Sequence, residues 1–387
     1  MIDLVSQYCQ ENKLTINCKK TKCITFNKTG RIIRQNFSLN GVLLENVRQY
    51  KYLGFIFTPS GEIGTGMKDL RDRALKSYHA LKNKMGDSFN RDIMITLSLV
   101  DSLIKPILLY SSDFWGCLKL PKNNPIETLH MKICKQILGV HKQTTNIGVL
   151  LELGRTSLDL EGIKLGVKNW ERIRKRNANK LVLASYTDAK EENLPWITGI
   201  KDKLEKNGML SLFINEYPEA PNFIHRKLLK TLIDEFHQNA FAGIRQEGSK
   251  LRTYALFKTE IGMEKYLIEF KNITIRTQVT KFRLSDHKLM IEKGRHNGVK
   301  AHLRFCPFCE NEVESEIHFL LDCPVYRNIR NHLINLIERE NHFFRYLQKE
   351  EKCSYLLANV NQKEIAEYIH NTFELRNFLT MLPNRVE

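Results

Sequence analysis

Apolar residues recur with two different periods along this chain, and the change falls near Gly66. Ahead of it, Ile2, Leu4, Val5, Tyr8 and Cys9 take helical spacing from the outset, with no capping residue before them. Residues 14–17 and 23–26 then alternate like strands, separated by the basic stretch 18–22. Residues 37–42 predict a hairpin, because Asn40-Gly41 supplies two residues that tolerate the positive φ of a tight turn. The run 50–57 is the most β-prone in the chain, and Pro59-Ser60-Gly61 ends it.

Beyond Gly66 the spacing is that of a helix. Met67, Leu70, Ala74, Tyr78, Leu81 and Met85 make one stripe, and Gly86 is a natural C-terminal stop. Residues 93–110 predict a strongly apolar helix, broken or kinked at Pro106. Further helices are predicted over 126–138, 162–184, 225–242 and 325–338. The last of them sets Val325, Ile329, Leu333, Leu336 and Ile337 on one face. Residues 186–224 hold three of the ten prolines and read as a linker or loosely packed insert. The fold class is therefore α+β, mostly helical, with its few strands in the first sixty residues.

Length and composition add bounds. A chain of 387 residues buries more than one core, which suggests two or three domains. Hydrophobic content of 42% with 27% charged residues is ordinary for a globular protein. No run of eighteen apolar residues and no signal segment is present. With nine cysteines, this fits a reducing, intracellular setting, nucleus or cytoplasm. Cys9, Cys18, Cys23, Cys117, Cys134 and Cys353 have no paired spacing and read as free thiols.

Charge changes the picture more. The net charge is +17, and it is unevenly spread. Residues 1–60 hold nine Lys and Arg against three Asp and Glu; 121–180 hold twelve against five; 241–300 hold thirteen against six. Localised excess points to a polyanionic partner, since solubility has no need of blocks. Nucleic acid is favoured over an anionic membrane, because no basic amphipathic helix with exposed Trp or Phe stands out.

The most specific chemistry lies near the C-terminus. Cys306, Cys309, His318 and Cys323 form C-x2-C-x8-H-x4-C. Two thiolates two residues apart can bite one zinc ion from a tight turn, and a following His and Cys can close a tetrahedron. The competing reading is chance: three half-buried thiols and a surface His within eighteen positions. The middle spacing is wider than the four residues of a retroviral knuckle. His287, His296 and His302 lack the spacing of His318.

Three basic sets could meet phosphates. Lys68, Arg71, Lys76, Lys82 and Lys84 lie mostly off the 67–85 stripe, either tracking a backbone or simply solvating a helix. Arg172, Arg174, Lys175, Arg176 and Lys180 sit beside Trp170, which adds a stacking surface. Lys281, Arg283, Lys288, Lys293, Arg295 and Lys300 lead into the Cys/His set. Nothing matches a P-loop, a G-x-S-x-G elbow or an H-E-x-x-H helix.

In order, these pieces resemble the C-terminal half of a LINE-type (non-LTR) retrotransposon reverse transcriptase. Leu14-Thr15-Ile16-Asn17 with Lys20-Thr21 resembles the palm motif that follows the catalytic aspartates, and Tyr50-Lys51-Tyr52-Leu53-Gly54 resembles the primer-grip hairpin. Lys105 to Tyr110, leading to Asp113-Phe114-Trp115-Gly116, is similar to the thumb segment. Phe282 to His287, then Glu292 to Arg295, is similar to the approach to the terminal knuckle. The resemblance covers about residues 1–345. It implies a partial palm over 1–60, a helical thumb and connector over 61–185, and a linker or insert over 186–224. A basic helical region over 225–300, a CCHC-type zinc knuckle with its following helix over 301–345, and a helical tail over 346–387 complete the division.

The resemblance also implies roles. Lys20 takes the position that could protonate departing pyrophosphate, but without the metal site it is expected to be a phosphate contact or a plain surface lysine. Tyr52, Leu53 and Gly54 take the one that braces a primer end or holds the hairpin against the thumb. The family's polymerase needs an Asp from an earlier strand and a Tyr-x-Asp-Asp pair expected just upstream of Met1. This chain has no Asp-Asp dipeptide, and before residue 60 its only carboxylates are Asp3, Glu11 and Glu45. Two-metal phosphoryl transfer needs clustered carboxylates. The expectation is therefore a non-catalytic protein that binds RNA or an RNA–DNA hybrid, with DNA left open. Structural zinc is expected, and Mg²⁺ only if the missing palm is supplied. The alternatives are a truncated record of an active RNA-directed DNA polymerase, or the product of a decayed element with no cellular role.

Overall fold

A computed structural model describes residues 2–33, 35–174, 179–214 and 223–381. Among them, strands are short and few: β1 (Lys22–Cys23), β2 (Ser38–Leu39), β3 (Val42–Leu43), β4 (Glu45–Asn46), β5 (Tyr50–Tyr52) and β6 (Phe55–Phe57). They form three separate pairs, β1 parallel to β4, β2 antiparallel to β3 and β5 antiparallel to β6. Asn40-Gly41 makes the turn of the β2–β3 hairpin, as its sequence predicts. Residues 14–17 are not a strand, and of 23–26 only Cys23 joins a ladder. Both runs are too short to bury an alternating face, so propensity alone does not hold them.

The 50–57 run folds back on itself rather than extending. Its turn residues, Leu53 and Gly54, lie at φ of +45° and +84°, the mirror-image turn that matches strand twist. Tyr110 Oη donates to Leu53 O at 2.5 Å, and Arg73 donates to Gly54 O at 2.8 Å. A Cβ at Gly54 would stand 3.1 Å from the Tyr110 ring. The glycine is there to let that ring approach.

Helices supply the rest. They run α1 (Ile2–Glu11), α2 (Gly64–Met85), α3 (Ile93–Leu103), α4 (Lys105–Leu108), α5 (Ser112–Trp115), α6 (Pro125–Leu138) and α7 (Asn146–Glu152). Then come α8 (Leu158–Ile173), α9 (Lys180–Glu191), α10 (Pro195–Lys206), α11 (Leu210–Ile214), α12 (Phe223–Arg245), α13 (Tyr254–Phe257) and α14 (Tyr266–Glu269). The last are α15 (Ile273–Arg283), α16 (Met290–His296), α17 (Arg327–Glu340), α18 (Lys349–Ala358) and α19 (Lys363–Met381). Pro106 breaks the 93–110 helix by opening α4, where its missing N–H leaves no helical bond unmade. The predicted 162–184 helix is two helices, the second capped by Asn179, whose side chain accepts from Leu181 N–H at 2.9 Å. The described part of the expected linker is helical, and α10 buries Ile197, Ile200 and Leu204. Those three repeat at i, i+3 and i+7, a period that the flanking prolines obscure.

Two compact units emerge. One gathers 1–81, 101–129 and 161–228; the other gathers 82–100, 130–160 and 229–387. In the first, the α2 stripe Met67, Leu70, Ala74 and Tyr78 is buried, and Phe55 packs over Gly66 with Phe57 and Phe114 beside it. By contrast, Leu4, Val5 and Tyr8 of α1 are exposed. In the second, α15 packs on α19, and Phe282, Phe319 and Phe373 form a ring cluster with centroids 4.6–5.7 Å apart.

Gly116 and Gly199 make the tightest backbone crossings in the first unit. A Cβ at Gly116 would lie 2.0 Å from Gly162 O, backbone against backbone, so Gly116→Ala should lower stability by about 1–3 kcal/mol. Gly243, inside α12, would meet only the Ile147 side chain at 3.6 Å, so Gly243→Ala should raise stability by up to about 1 kcal/mol. Thermal melts of the two variants check the contrast.

Candidate metal centre and basic surfaces

A small hairpin builds the first half of the Cys/His cluster. Phe305 and Val313 pair antiparallel; Cys306 N–H donates to Glu312 O at 2.8 Å, and Glu314 N–H to Arg304 O at 2.9 Å. The turn closes when Glu310 N–H reaches Cys306 O at 2.9 Å, with Glu310 at φ +56°. The second half is one wide helical turn. Cys323 N–H reaches back five residues to His318 O at 2.9 Å, and Ser315 Oγ accepts His318 N–H at 3.1 Å. Pro324 then starts the tight turn that leads into α17.

The outcome is four ligand atoms within 4.8 Å of one another. Cys306 Sγ lies 4.0 Å from Cys323 Sγ, and Cys309 Sγ lies 3.4 Å from His318 Nε2. A tetrahedron with metal–sulfur bonds of about 2.3 Å and a metal–nitrogen bond of about 2.0 Å has edges of roughly 3.5–3.8 Å. The separations fit. Cys306, His318 and Cys323 are buried and Cys309 is half-buried. His318 Nδ1–H donates to Glu312 at 3.0 Å, which leaves the Nε2 lone pair facing the sulfurs. This cluster can hold a metal ion.

Sulfurs and imidazole this close alter one another's ionisation. The neighbouring Cys323 sulfur, helped by burial, pushes Cys306 up to about 12, while the same contact lowers Cys323. Burial would depress His318, but Cys306 and Glu312 outweigh it and raise it to about 9.

The hairpin also organises its unit, through residues that sequence reasoning passed over. Arg304 donates to Ile291 O at 2.7 Å and twice to Val299 O at 2.9 and 2.8 Å, clasping α16 and the loop after it. Glu314 accepts two bonds from Arg376 of α19 at 2.7 and 2.8 Å and one from Met290 N–H at 2.6 Å. Glu316 accepts from Arg252 at 2.7 and 2.9 Å, Thr253 at 3.0 Å and His287 at 3.0 Å. Burial would lift the Glu316 carboxyl, but the His287 and Arg252 donors hold it well below the usual carboxylate range. Glu312, Glu314 and Glu316 alternate with period two, and that pattern was the available signal.

The basic candidates separate into outward and inward sets. Lys20, Tyr52, Lys76, Arg172, Lys288, Lys293 and Lys300 are exposed; Lys281 is half-buried. Arg295 is half-buried and lies 3.7 Å from the buried Glu292. Lys175 and Arg176 lie outside the described residues. Two expectations need correction. Trp170 offers no stacking surface: it is 0% exposed, with Phe213 stacked on it and the Arg174 guanidinium 4.4 Å from its ring. Arg174 itself donates to Leu212 O at 3.1 Å, so it braces α8 against α11.

Arg283 is the second correction. It is 1% exposed and pairs with Glu152 at 2.7 Å and Glu264 at 2.5 Å, with the Phe257 ring 4.3 Å away. Tyr254 and Tyr266 donate to the same Glu152 carboxylate at 2.7 and 2.6 Å. A charge held this way is part of the core. Lys258 and Arg276 are also buried, so some of the 241–300 excess is internal.

Removing Arg283 would leave Glu152 buried without its cation. Arg283→Ala should therefore cost about 3–5 kcal/mol in urea unfolding, whereas Lys293→Ala should stay within about 0.5 kcal/mol of the parent. Comparison of the chain with protein families, curated proteins and solved structures finds no match in any of the three.

Proposed function

We propose that this protein binds RNA or an RNA–DNA hybrid, as a non-catalytic relative of the C-terminal half of LINE-type reverse transcriptases, with structural zinc in its Cys/His cluster. The observation that carries the reading is the mounting of α16 and its flanks. Lys288, Lys293 and Lys300 are exposed and have no acidic partner among the described residues. Arg304 and Glu314 fasten that segment directly to the Cys/His hairpin. A metal that fixes the hairpin thus fixes the spacing of the cations. Phosphate contacts then supply the affinity, and Mg²⁺ has a part only where another chain brings a palm.

Zinc is the ion the donors suit. Three thiolates and an imidazole are soft to borderline ligands, and four protein ligands with no open position describe a structural site. Glu312 orients His318 in the manner of the carboxylate partners that tune zinc ligands. The double variant Cys306→Ser/Cys309→Ser should lose one equivalent of zinc and loosen residues 290–381 to hydrogen exchange. Glu312→Gln should keep the fold and weaken zinc binding about 10–100-fold by competition with a chelator. Unchanged metal content in the double variant would remove the zinc assignment.

Binding to an oligoribonucleotide should weaken steeply between about 50 and 200 mM salt. Each lysine of the 288/293/300 set that meets a phosphate should contribute about 0.7 to the logarithmic salt slope on a single strand. The triple Ala variant should flatten that slope by about two units. Affinity that does not change with salt would overturn the reading.

A further inference from the structure

A cleft bordered by basic side chains lies between α15 and α19 in the C-terminal unit. Its volume is about 500 Å³, within the usual range of roughly 300–1,000 Å³ for small-ligand sites. Phe373 lines it and packs against Phe282 and Phe319. Gln278 lines it too, and its carbonyl oxygen is taken by His370 Nδ1–H, so its amide N–H groups have no partner among the described residues. Lys281 and Lys288 border the cleft with no acidic partner among the described residues. Asp286 is engaged, accepting His141 N–H at 2.7 Å. Glu374 is exposed at the border and unpaired among the described residues.

His287 adds an independent sign of a missing partner. Its side chain is 2% exposed and its Nε2–H is fixed on Glu316 at 3.0 Å, yet its Nδ1 has no hydrogen-bond partner among the described residues. Buried polar atoms are seldom left so. A simple anion would use the two lysines but not the aromatic wall, and an apolar ligand would leave two ammonium groups at its edge. A ribonucleotide supplies a counterpart for each: a base for Phe373, acceptors for the Gln278 amide, an N–H donor for His287 Nδ1, ribose hydroxyls for the Glu374 carboxylate and a phosphate for Lys281 and Lys288.

We propose that the α15–α19 cleft seats one unpaired ribonucleotide of the bound strand, with its base against Phe373 and its phosphate between Lys281 and Lys288. The assignment rests on the nucleic-acid reading above and adds to it a preference for ribose. It also makes the cleft the place where the strand is read, while α16 and its flanks only hold phosphates.

The test uses the full chain, a short oligoribonucleotide carrying 4-thiouridine, its deoxy counterpart, and free uridine monophosphate. Photo-crosslinked peptides are mapped by mass spectrometry, and affinities are read by fluorescence anisotropy. Adducts should fall within 273–288 or 370–378. Lys281→Ala should weaken oligoribonucleotide binding about tenfold and remove those adducts. Glu374→Gln should reduce the ribose-over-deoxyribose preference several-fold, with melting temperatures unchanged in both variants. If the strand binds with steep salt dependence but its adducts lie elsewhere and Lys281→Ala binds like the parent, the cleft assignment is wrong and the nucleic-acid reading stands. If no strand binds but uridine monophosphate does, and Lys281→Ala abolishes it, the cleft is a free-nucleotide site and the strand reading falls. If neither binds, both fall.

Discussion

The convergence of Cys306 and Cys309 of the 305–313 hairpin with His318 and Cys323 is the constraint around which the C-terminal unit is arranged. Between Arg304 and Glu316 the chain makes no hydrophobic layer large enough to hold itself, and two backbone hydrogen bonds across a single bridge cannot do so either. A metal ion held by Cys306, Cys309, His318 and Cys323 would remove that difficulty by replacing a core with four bonds. Once the hairpin is fixed, Arg304, Glu314 and Glu316 project into three different neighbours: α16, α19 and the loop ahead of α13. Each uses a charge-assisted bond, shorter and about twice as strong as a neutral one. The C-terminal unit is thus assembled outward from a small polar hub.

That polar hub explains a second property, the unusual number of charges inside this unit. Arg283, Glu152, Glu314, Glu316 and Arg376 are all buried. Ion pairs in such places gain little net stability over apolar packing, because both members lose their hydration. What they supply is discrimination: each carboxylate has two or more directional donors, and a slipped helix would leave one unpaired. The basic surplus of 241–300 consequently has two parts, one that specifies packing and one that faces solvent. Only the second is free to meet an anion.

Sequence reasoning reached the helices wherever an apolar stripe ran for several turns, as in α2, α6 and α12, and the β2–β3 hairpin where Asn40-Gly41 announced its turn. It reached the clustering of Cys306, Cys309, His318 and Cys323 because ligand-like spacing in the chain reflects local geometry rather than distant context. It failed at Trp170 and Arg283 for a common reason. A ring beside cations reads as a stacking surface, and an arginine in a basic run reads as a phosphate contact, because neither residue names its burial. The partners that pull them inward, Phe213, Glu152 and Glu264, stand 43, 131 and 19 positions away in the chain. The insert over 186–224 misled for another reason: Pro195 opens a helix rather than ending one.

Neither unit is a continuous stretch of chain, and this has a temporal meaning. Residues 82–100 belong with partners that extend to α19. At a synthesis rate of about 5–20 residues per second, they emerge roughly 15–60 s before those partners exist. Through that interval α3 can meet only the 130–160 segment of its own unit, and the 304–316 hub is made long after both. Completion of the C-terminal unit is therefore a late event in the synthesis of the chain.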